Sequence, residues 1–408
     1  MSLRSRPSAI AILLSTLAIL VATLHQSGSS LPRGWSFSLI SGDAALAEII
    51  QNLLLFIPLG VSLTLAGVRP LRAIALGALL SFSVEFAQQW IPGRDPTGGD
   101  ILCNTISTAL GTALVRLAPR WLTTPPDRSA RQALGTAVIA VLVWFGTAAL
   151  LRPTFPPPPY RVLPAPDFAH WGQYQGEIRT AQLERGMLIV EAVAPPRPPG
   201  RVSPLATILD ARGTRATVLA VDGSDLSLRY HMPAVRLTLE QPDLRWRGAL
   251  AKIAPGDTFT AATGHEDGRI CLALNRDWRC DLGYTIGDGW KLIFYPEGWP
   301  AWRLAVINAL WVAGCVIGVG YWAARTTGGE KSGCEKDGGE GTARGRRSAR
   351  MAKVAVALAL LGLIIVPIAT ELKATTLWEW IGALVGIEVG LTLGNRTLKG
   401  RLGNDTRL

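Results

Sequence analysis

The chain has few of the side chains on which most enzyme active sites depend. Its 408 residues include four histidines and five cysteines, and no histidine lies between residues 46 and 117. The sequence contains no HExxH motif, no metal-ligand spacing and no apparent Ser-His or Cys-His pair. It therefore indicates no cofactor and no metal, and it favours a binding or structural protein over an enzyme.

Charged residues are also scarce, at 17% of the chain against 49% hydrophobic residues, which is the composition of an integral membrane protein. The formal net charge of +11 would suit a nucleic-acid partner. The basic residues, however, fall between the hydrophobic segments. They therefore report membrane topology, and we expect no nucleic-acid partner.

Eight hydrophobic segments have the roughly 17–23 residues that cross a bilayer core. They lie near residues 8–25, 46–66, 71–91, 100–117, 132–151, 302–323, 352–370 and 376–394. The first follows Arg4 and Arg6 as a signal peptide would. No convincing small-residue cleavage site follows it, so we interpret it as a retained first helix.

The short loops rich in lysine and arginine all fall on one side of the membrane, which predicts cytoplasmic termini. The predicted domains are a five-span segment at 1–151, an extracytoplasmic domain at 152–300, and a three-span segment at 301–408 with a basic cytoplasmic loop at 324–351. The predicted fold class is a polytopic α-helical membrane protein that carries an extracytoplasmic all-β domain.

The polar domain at 152–300 shows the period-two alternation of short β-strands. Predicted strands are Met187–Val193, Leu205–Leu209, Thr217–Val221, Leu226–Tyr230, Val235–Leu239, Thr258–Ala262, Ile270–Leu274 and Trp290–Phe294. Several short strands at this spacing predict a β-sandwich. The domain resembles the concanavalin A-like or laminin-G-like jelly rolls, which implies glycan or protein binding. It lacks the Glu-x-Asp-x-Glu strand that glycosidases of this fold use.

Two cysteines lie in the β domain. If Asn275-Arg276 forms a two-residue turn, Cys271 lies opposite Cys280 on antiparallel strands, within disulfide range. We therefore predict a structural hairpin disulfide between Cys271 and Cys280. Cys103 and Cys315 lie in spans, and Cys334 lies in the basic loop, where thiols stay reduced.

Polar side chains recur near the ends of the second, third and fourth spans. From the predicted topology they converge in the outer leaflet, with Arg94 as counter-ion, as a polar pocket. Its residues are Glu48, Asn52, Glu85, Gln88, Gln89, Arg94, Asp100 and Asn104. Two interpretations stay open: a site for the head group of a lipid or lipid-linked saccharide, or a buried network that packs helices. Acid–base chemistry by Glu85 and Asp100 also stays open.

These residues carry a family resemblance. Asn52 with Phe56-x-Pro58-x-Gly60, Glu85 with its following Gln, Pro92-Gly93-Arg94 and Asp100-x-x-x-Asn104 resemble the VanZ-like bacterial membrane proteins, from near residue 8 to 117. The resemblance implies a multi-pass protein of the bacterial cytoplasmic membrane and a link to glycopeptide antibiotic tolerance. It implies no catalytic mechanism.

The last span carries a ladder of glycines at every fourth position: Gly382, Gly386, Gly390 and Gly394. Such a ladder lets two helix backbones approach closely, within this chain or in a homo-oligomer. Glu388, beside the ladder, is expected to face protein. Glu379 and Ala383 have the same spacing as Asp100 and Asn104. Ala383 has no side-chain amide, so this spacing alone does not establish a repeat.

Overall fold

The computed structural model describes residues 6–24, 44–94, 96–122, 124–155, 157–168, 171–266, 269–296, 298–327 and 340–405. Within these ranges, eight helices are long and apolar enough to cross a membrane. Each overlaps one of the eight hydrophobic segments, so the polytopic α-helical fold class is confirmed. The fourth helix continues beyond the predicted segment, to Leu122.

The chain divides into two compact units, Met1–Thr124 with Leu237–Glu240, and Pro125–Arg236 with Gln241–Leu408. The first unit contains four long helices: α1 (Arg6–Leu24), α2 (Ala45–Leu65), α3 (Pro70–Gln88) and α4 (Gly98–Leu122). Buried apolar side chains join α1, α2 and α3, among them Ile19, Phe56, Leu59 and Val84. The N–H groups of Leu46 and Ala47 donate to the Thr238 carbonyl oxygen.

The second unit contains the other long helices, a short helix and the β domain. Its helices are α5 (Pro126–Leu151), α6 (Pro233–Arg236), α7 (Ala301–Thr327), α8 (Glu340–Ala369) and α9 (Leu377–Asp405). A 3₁₀ helix, Ile286–Leu292, precedes α7. Since α5 packs against α7 and α8, it belongs to this unit although the β domain separates it from them in sequence.

Ten strands form two antiparallel five-stranded sheets. They are β1 (Arg161–Pro164), β2 (Ile178–Glu184), β3 (Met187–Val193), β4 (Ser203–Leu209), β5 (Arg215–Asp222), β6 (Asp225–Tyr230), β7 (Leu244–Trp246), β8 (Thr258–Glu266), β9 (Arg269–Leu274) and β10 (Asp277–Arg279). One sheet has the order β1-β4-β5-β6-β7 and the other β10-β9-β8-β3-β2. Leu188, Leu219 and Leu272 are fully buried, and the predicted sandwich is confirmed.

The strands that periodicity missed are sheet edges. No strand was predicted at β1, β2 or β7, and each of these lies at an edge of its sheet. Edge strands are short and carry polar side chains, which limits unwanted pairing with other strands. Exposed residues alternate poorly with buried ones in β1 and β2, so they carry little periodic signal.

Two predicted strands are wrong. Val235–Leu239 begins inside α6, and Thr238 has a φ of 49°, which no β-strand adopts. Trp290–Phe294 overlaps the 3₁₀ helix Ile286–Leu292. There the Asp288 carboxylate accepts hydrogen bonds from the N–H and hydroxyl of Thr285, a capping box that starts a helix instead of a strand.

The hairpin disulfide is confirmed. Leu274 pairs with Asp277 across the Asn275-Arg276 turn, and Cys271 is bonded to Cys280 with a Cα–Cα distance of 4.1 Å. Asn275 has a φ of 56°, the left-handed conformation that asparagine tolerates in such turns. Of the remaining cysteines, Cys103 and Cys315 are free, and Cys334 lies outside the described residues.

One buried cation organises an end of the first sheet. Arg245 in β7 is paired with Asp222, with Asp225 at 3.7 Å and with Asp243 at 3.1 Å. Its side chain is 8% exposed. Burial lowers the pKa of Arg245, but the three carboxylates outweigh burial and raise it. Arg245 therefore stays charged and neutralises carboxylates that would otherwise repel each other.

We expect Arg245→Ala to lower the free energy of unfolding by about 3–5 kcal/mol, because it leaves buried carboxylates without their cation. The matched control is Arg279→Ala, which removes an exposed pair with Asp281 and should cost below about 1 kcal/mol. Thermal unfolding of the detergent-purified variants measures both. Equal losses would contradict the assignment of Arg245 as the organising cation.

Replacing Cys271 and Cys280 together by alanine should lower the stability of the β domain by about 2–4 kcal/mol, since the crosslink restricts the unfolded chain. The control replaces Cys103 and Cys315, which are free. Thiol labelling after denaturation counts the bonded cysteines, and unfolding monitored with and without reductant measures the stability. If reductant left the melting temperature of the wild type unchanged, the disulfide would have no structural role.

Candidate functional site

The candidate site lies where α1 ends, α3 ends and α4 begins in the first unit. Asn52 faces it from α2, seven residues after the first residue of that helix, or about 10 Å along the helix axis. Beneath the polar groups, Phe56 is fully buried and Val84 is 2% exposed. The polar groups of the site therefore lie next to buried apolar side chains inside the helix bundle.

A hydrogen bond between Asn52 and Asp100 links α2 to α4. The Asn52 side-chain amide donates to an Asp100 carboxylate oxygen. Both residues are partly exposed. Thr97 acts as the N-cap of α4, because its hydroxyl accepts a hydrogen bond of 3.1 Å from the backbone N–H of Asp100 in the first turn. The first turn of α4 therefore presents a carboxylate held from two sides.

Glu85 is the buried carboxylate of the cluster, with 3% of its surface exposed. It accepts a hydrogen bond of 3.0 Å from the backbone N–H of Thr97. This contact places Glu85 beside the N-terminus of α4, where the helix dipole favours a negative charge. The Asp100 carboxylate is close enough to interact electrostatically with Glu85, so the sequence-predicted pair is brought together.

Arg94 bonds to the end of α1 and interacts electrostatically with the Glu85 carboxylate. Its Nη2 atom donates to the Ala22 carbonyl oxygen at 3.0 Å, and Gln88 donates to the Thr23 carbonyl oxygen at 3.0 Å. A cation at a helix C-terminus satisfies carbonyl groups that lack helical partners. Burial lowers the pKa of Arg94, and the nearby Glu85 carboxylate opposes that shift. Arg94 therefore caps α1, and its role as counter-ion stays a prediction.

Asn104 lies one helical turn deeper than Asp100 and is 2% exposed. Its Nδ2 atom donates to the Ser81 hydroxyl at 3.0 Å. Its Oδ1 atom is buried and has no hydrogen-bond partner within the described part of the chain. An unpaired buried acceptor is costly, which makes this oxygen a candidate contact for a ligand.

The remaining predicted site residues are peripheral to this arrangement. Glu48 is exposed in the first turn of α2, and Gln89, the C-cap residue of α3, is half-buried. Sequence reasoning missed Thr97 and Ser81, which bond directly to the cluster. The signal for Thr97 was present, since Thr97-Gly-Gly-Asp100 has the spacing of a helix capping box. Ser81 has no comparable sequence signal.

The glycine ladder packs within the chain. A Cβ atom on Gly382, Gly386, Gly390 or Gly394 would collide with α7, at the carbonyl oxygens of Ala309, Ala313, Ile317 or Tyr321 respectively. All four glycines are buried. The expectation that Glu388 faces protein is wrong, because Glu388 lies on the opposite, exposed side of α9.

A second buried carboxylate begins α9. Glu379 is fully buried, and one of its oxygens accepts hydrogen bonds from the Thr285 hydroxyl and from the Gly287 N–H at 2.9 Å. Its other oxygen accepts from the N–H of Thr376 at 2.7 Å. Glu379 therefore fastens the 3₁₀ helix to α9. Sequence reasoning saw Glu379 only as a spacing echo.

Within the described ranges, no three or more His, Cys, Asp or Glu side chains are placed to hold a metal ion. His170 lies outside these ranges, and His231 is bonded to the Thr154 hydroxyl at 2.8 Å. The cluster at Asp100 is thus a set of acceptors and amides suited to hydrogen bonding with a ligand.

The geometry at the ends of α2, α3 and α4 agrees with a comparison against protein families. Residues 8–119 match the VanZ/LLP1 family model. Residues 8–119, the VanZ-like segment, are thus similar to that family, as their polar motifs predicted, and they contain every residue of the cluster. Comparisons with curated proteins and with solved structures found no match.

Thr97→Ala should reduce the free energy of unfolding of the VanZ-like segment by about 1 kcal/mol, because α4 loses its N-cap hydroxyl. Thr105→Ala is the control, since that hydroxyl bonds only to the Ile101 carbonyl of its own helix. Thermal unfolding in detergent compares them. If the two variants melted together, Thr97 would not be the cap of α4.

Proposed function

We propose that this protein binds the head group of a membrane lipid or of a lipid-linked saccharide at the cluster formed by Asn52, Glu85, Arg94, Asp100 and Asn104. The observation that carries the proposal is the buried Asn104 oxygen, which lacks a partner within the described residues, beneath the partly exposed Asp100. Buried polar groups in membrane segments are costly, and those without partners mark ligand sites.

Position supports this proposal. The cluster lies at one end of a bundle of spanning helices, where lipid head groups lie. Exposed apolar side chains on the same helices, Leu54 of α2 and Phe86 of α3, offer surface to the apolar tail of such a ligand. A purely aqueous ligand would leave that surface unused.

The β domain is assigned to the same process. On the positive-inside rule it lies outside a bacterial cytoplasmic membrane, with both chain termini inside. A lectin-like sandwich there would bind envelope glycan or a protein partner, in an interaction separate from head-group binding by the VanZ-like segment. Tolerance to glycopeptide antibiotics would follow if the ligand were a cell-wall precursor.

The rival function is a structural or assembly role, in which the cluster only packs helices. The bonds that Arg94 and Gln88 make to carbonyl groups of α1 favour this alternative. The two functions differ in what a single substitution changes. A ligand site loses its ligand while the fold stays intact, whereas a packing network loses stability.

Native mass spectrometry of the detergent-purified protein tests the proposal. Wild type should retain a co-purified lipid or lipid-linked saccharide, and Glu85→Gln and Asp100→Asn should lose it, because each substitution removes a carboxylate acceptor of the cluster. The matched control is Glu388→Gln, which neutralises an exposed carboxylate in α9. This control should retain the lipid.

Melting temperatures of the same samples complete the test. Loss of lipid with an unchanged melting temperature supports a binding site. An identical lipid spectrum from all four proteins, with Glu85→Gln and Asp100→Asn less stable, would reduce the cluster to helix packing and leave the β domain as the site of function.

A further inference from the structure

The helix pair α7–α9 repeats the helix contact of α2–α4. In the first pair, a Cβ atom on Gly111 would collide with the Ile57 carbonyl oxygen, and in the second a Cβ atom on Gly390 would collide with that of Ile317. In both pairs the glycine of one helix thus lies directly on the backbone of the other. Such backbone contacts occur only where side chains are small.

Two further contacts match with the same register. Gly60 lies against the Thr108 carbonyl, as Gly320 lies against that of Ile387. The Ser107 hydroxyl bonds to the Leu53 carbonyl oxygen, and Gly386 lies against the Ala313 carbonyl oxygen. In all three contacts the residue in α7 lies 260 positions after its counterpart in α2, as 317 lies after 57. The residue in α9 lies 279 positions after its counterpart in α4, as 390 lies after 111. Three agreeing contacts establish that the pairs share one packing register.

The starts of α4 and α9 also correspond under this shift. Asp100 aligns with Glu379, and Thr97 aligns with Thr376. In each helix the carboxylate residue donates its backbone N–H to the threonine hydroxyl, at 3.1 Å for Asp100 and 3.4 Å for Glu379. Capping threonine and first-turn carboxylate are therefore common to both pairs.

The amides are what the second pair lacks. Asn52 aligns with Val312 and Asn104 with Ala383, and these two apolar residues are fully buried. The α7–α9 pair nevertheless packs in the same register, without either amide. The chain thus contains its own control: the helix contact does not need the amides that the VanZ-like segment carries at those positions.

From this comparison we infer that Asn52 and Asn104 are ligand-binding residues, and that they bind an uncharged, hydroxyl-bearing head group such as a saccharide. This inference rests on the proposed function and names the chemistry of its ligand. Asn104 supplies the unpaired buried acceptor, which a hydroxyl group satisfies by donating a hydrogen bond.

Charge decides between a hydroxyl and a phosphate. Asp100 and Glu85 place two carboxyl groups beside the amides, and either group, where ionised, would repel a phosphate. Carboxylates accept hydrogen bonds from sugar hydroxyls, as the Glu379 carboxylate accepts from the Thr285 hydroxyl in the second pair. Arg94 is the cation that would favour a phosphate, but one of its guanidinium nitrogens donates a hydrogen bond to the Ala22 carbonyl oxygen.

The test mixes detergent-purified protein with two probe lipids that carry the same acyl chains, monoglucosyl-diacylglycerol and phosphatidic acid, and reads binding by native mass spectrometry. Wild type should prefer the glucosyl lipid. Asn52→Val and Asn104→Ala, which copy the residues of the second pair, should each weaken its binding about tenfold, the effect of one hydrogen bond of 1.4 kcal/mol. Their melting temperatures should stay close to that of wild type, because the α7–α9 pair packs in the same register without either amide.

Each other outcome has a distinct meaning. Preference for phosphatidic acid, lost in Arg94→Ala, would overturn the hydroxyl assignment and leave the proposed lipid-binding function standing. Failure of both probes and of every co-purified lipid to bind wild type would overturn the function as well. A lower melting temperature of Asn52→Val and Asn104→Ala together with unchanged binding of the glucosyl lipid would show that the amides only pack helices, which contradicts the inference directly.

Discussion

The structure depends on close contact between helix backbones. Between helices in a bilayer there is no hydrophobic driving force, because lipid tails are as apolar as leucine. Association therefore rests on van der Waals contact, which small residues at the interface permit. Gly60 and Gly111 make that contact in the first unit, and the ladder from Gly382 to Gly394 makes it in the second. Larger side chains at these positions would force the backbones apart.

Close contact leaves the outer faces and the ends of the helices free to differ. In both helix pairs, a threonine caps the incoming helix and a carboxylate follows in its first turn. In the second pair Glu379 accepts hydrogen bonds from Thr285 and Gly287 and so secures the 3₁₀ helix. In the first pair Asp100 accepts from Asn52 and stays partly exposed. The same local chemistry thus serves as an internal anchor in one place and as a candidate binding group in the other.

The β domain follows a different rule, since its stability comes from side chains buried between two sheets. Its central strands carry the alternating pattern, and its edge strands carry exposed polar residues. Arg245 and the disulfide reinforce opposite sheets, through charge neutralisation in one and a covalent crosslink in the other. A polar domain of this kind needs such reinforcement because short edge strands contribute little packing.

Sequence alone determined the eight spans, the β-sandwich, the hairpin disulfide and the identity of the VanZ-like segment. Hydropathy, period-two alternation and turn chemistry are local properties, which a sequence expresses directly. Sequence also identified Asn52, Glu85 and Asp100, because charged and amide groups stand out in apolar segments. The cap at Thr97 was present in the sequence as a local spacing, but its bond to Glu85 was decided by tertiary structure. Ser81 and the role of Glu379 were also decided by tertiary structure, since each depends on a partner far along the chain. The correspondence between α2–α4 and α7–α9 was hidden for the same reason: packing register conserves the positions of small residues, and it leaves the remaining side chains free to change.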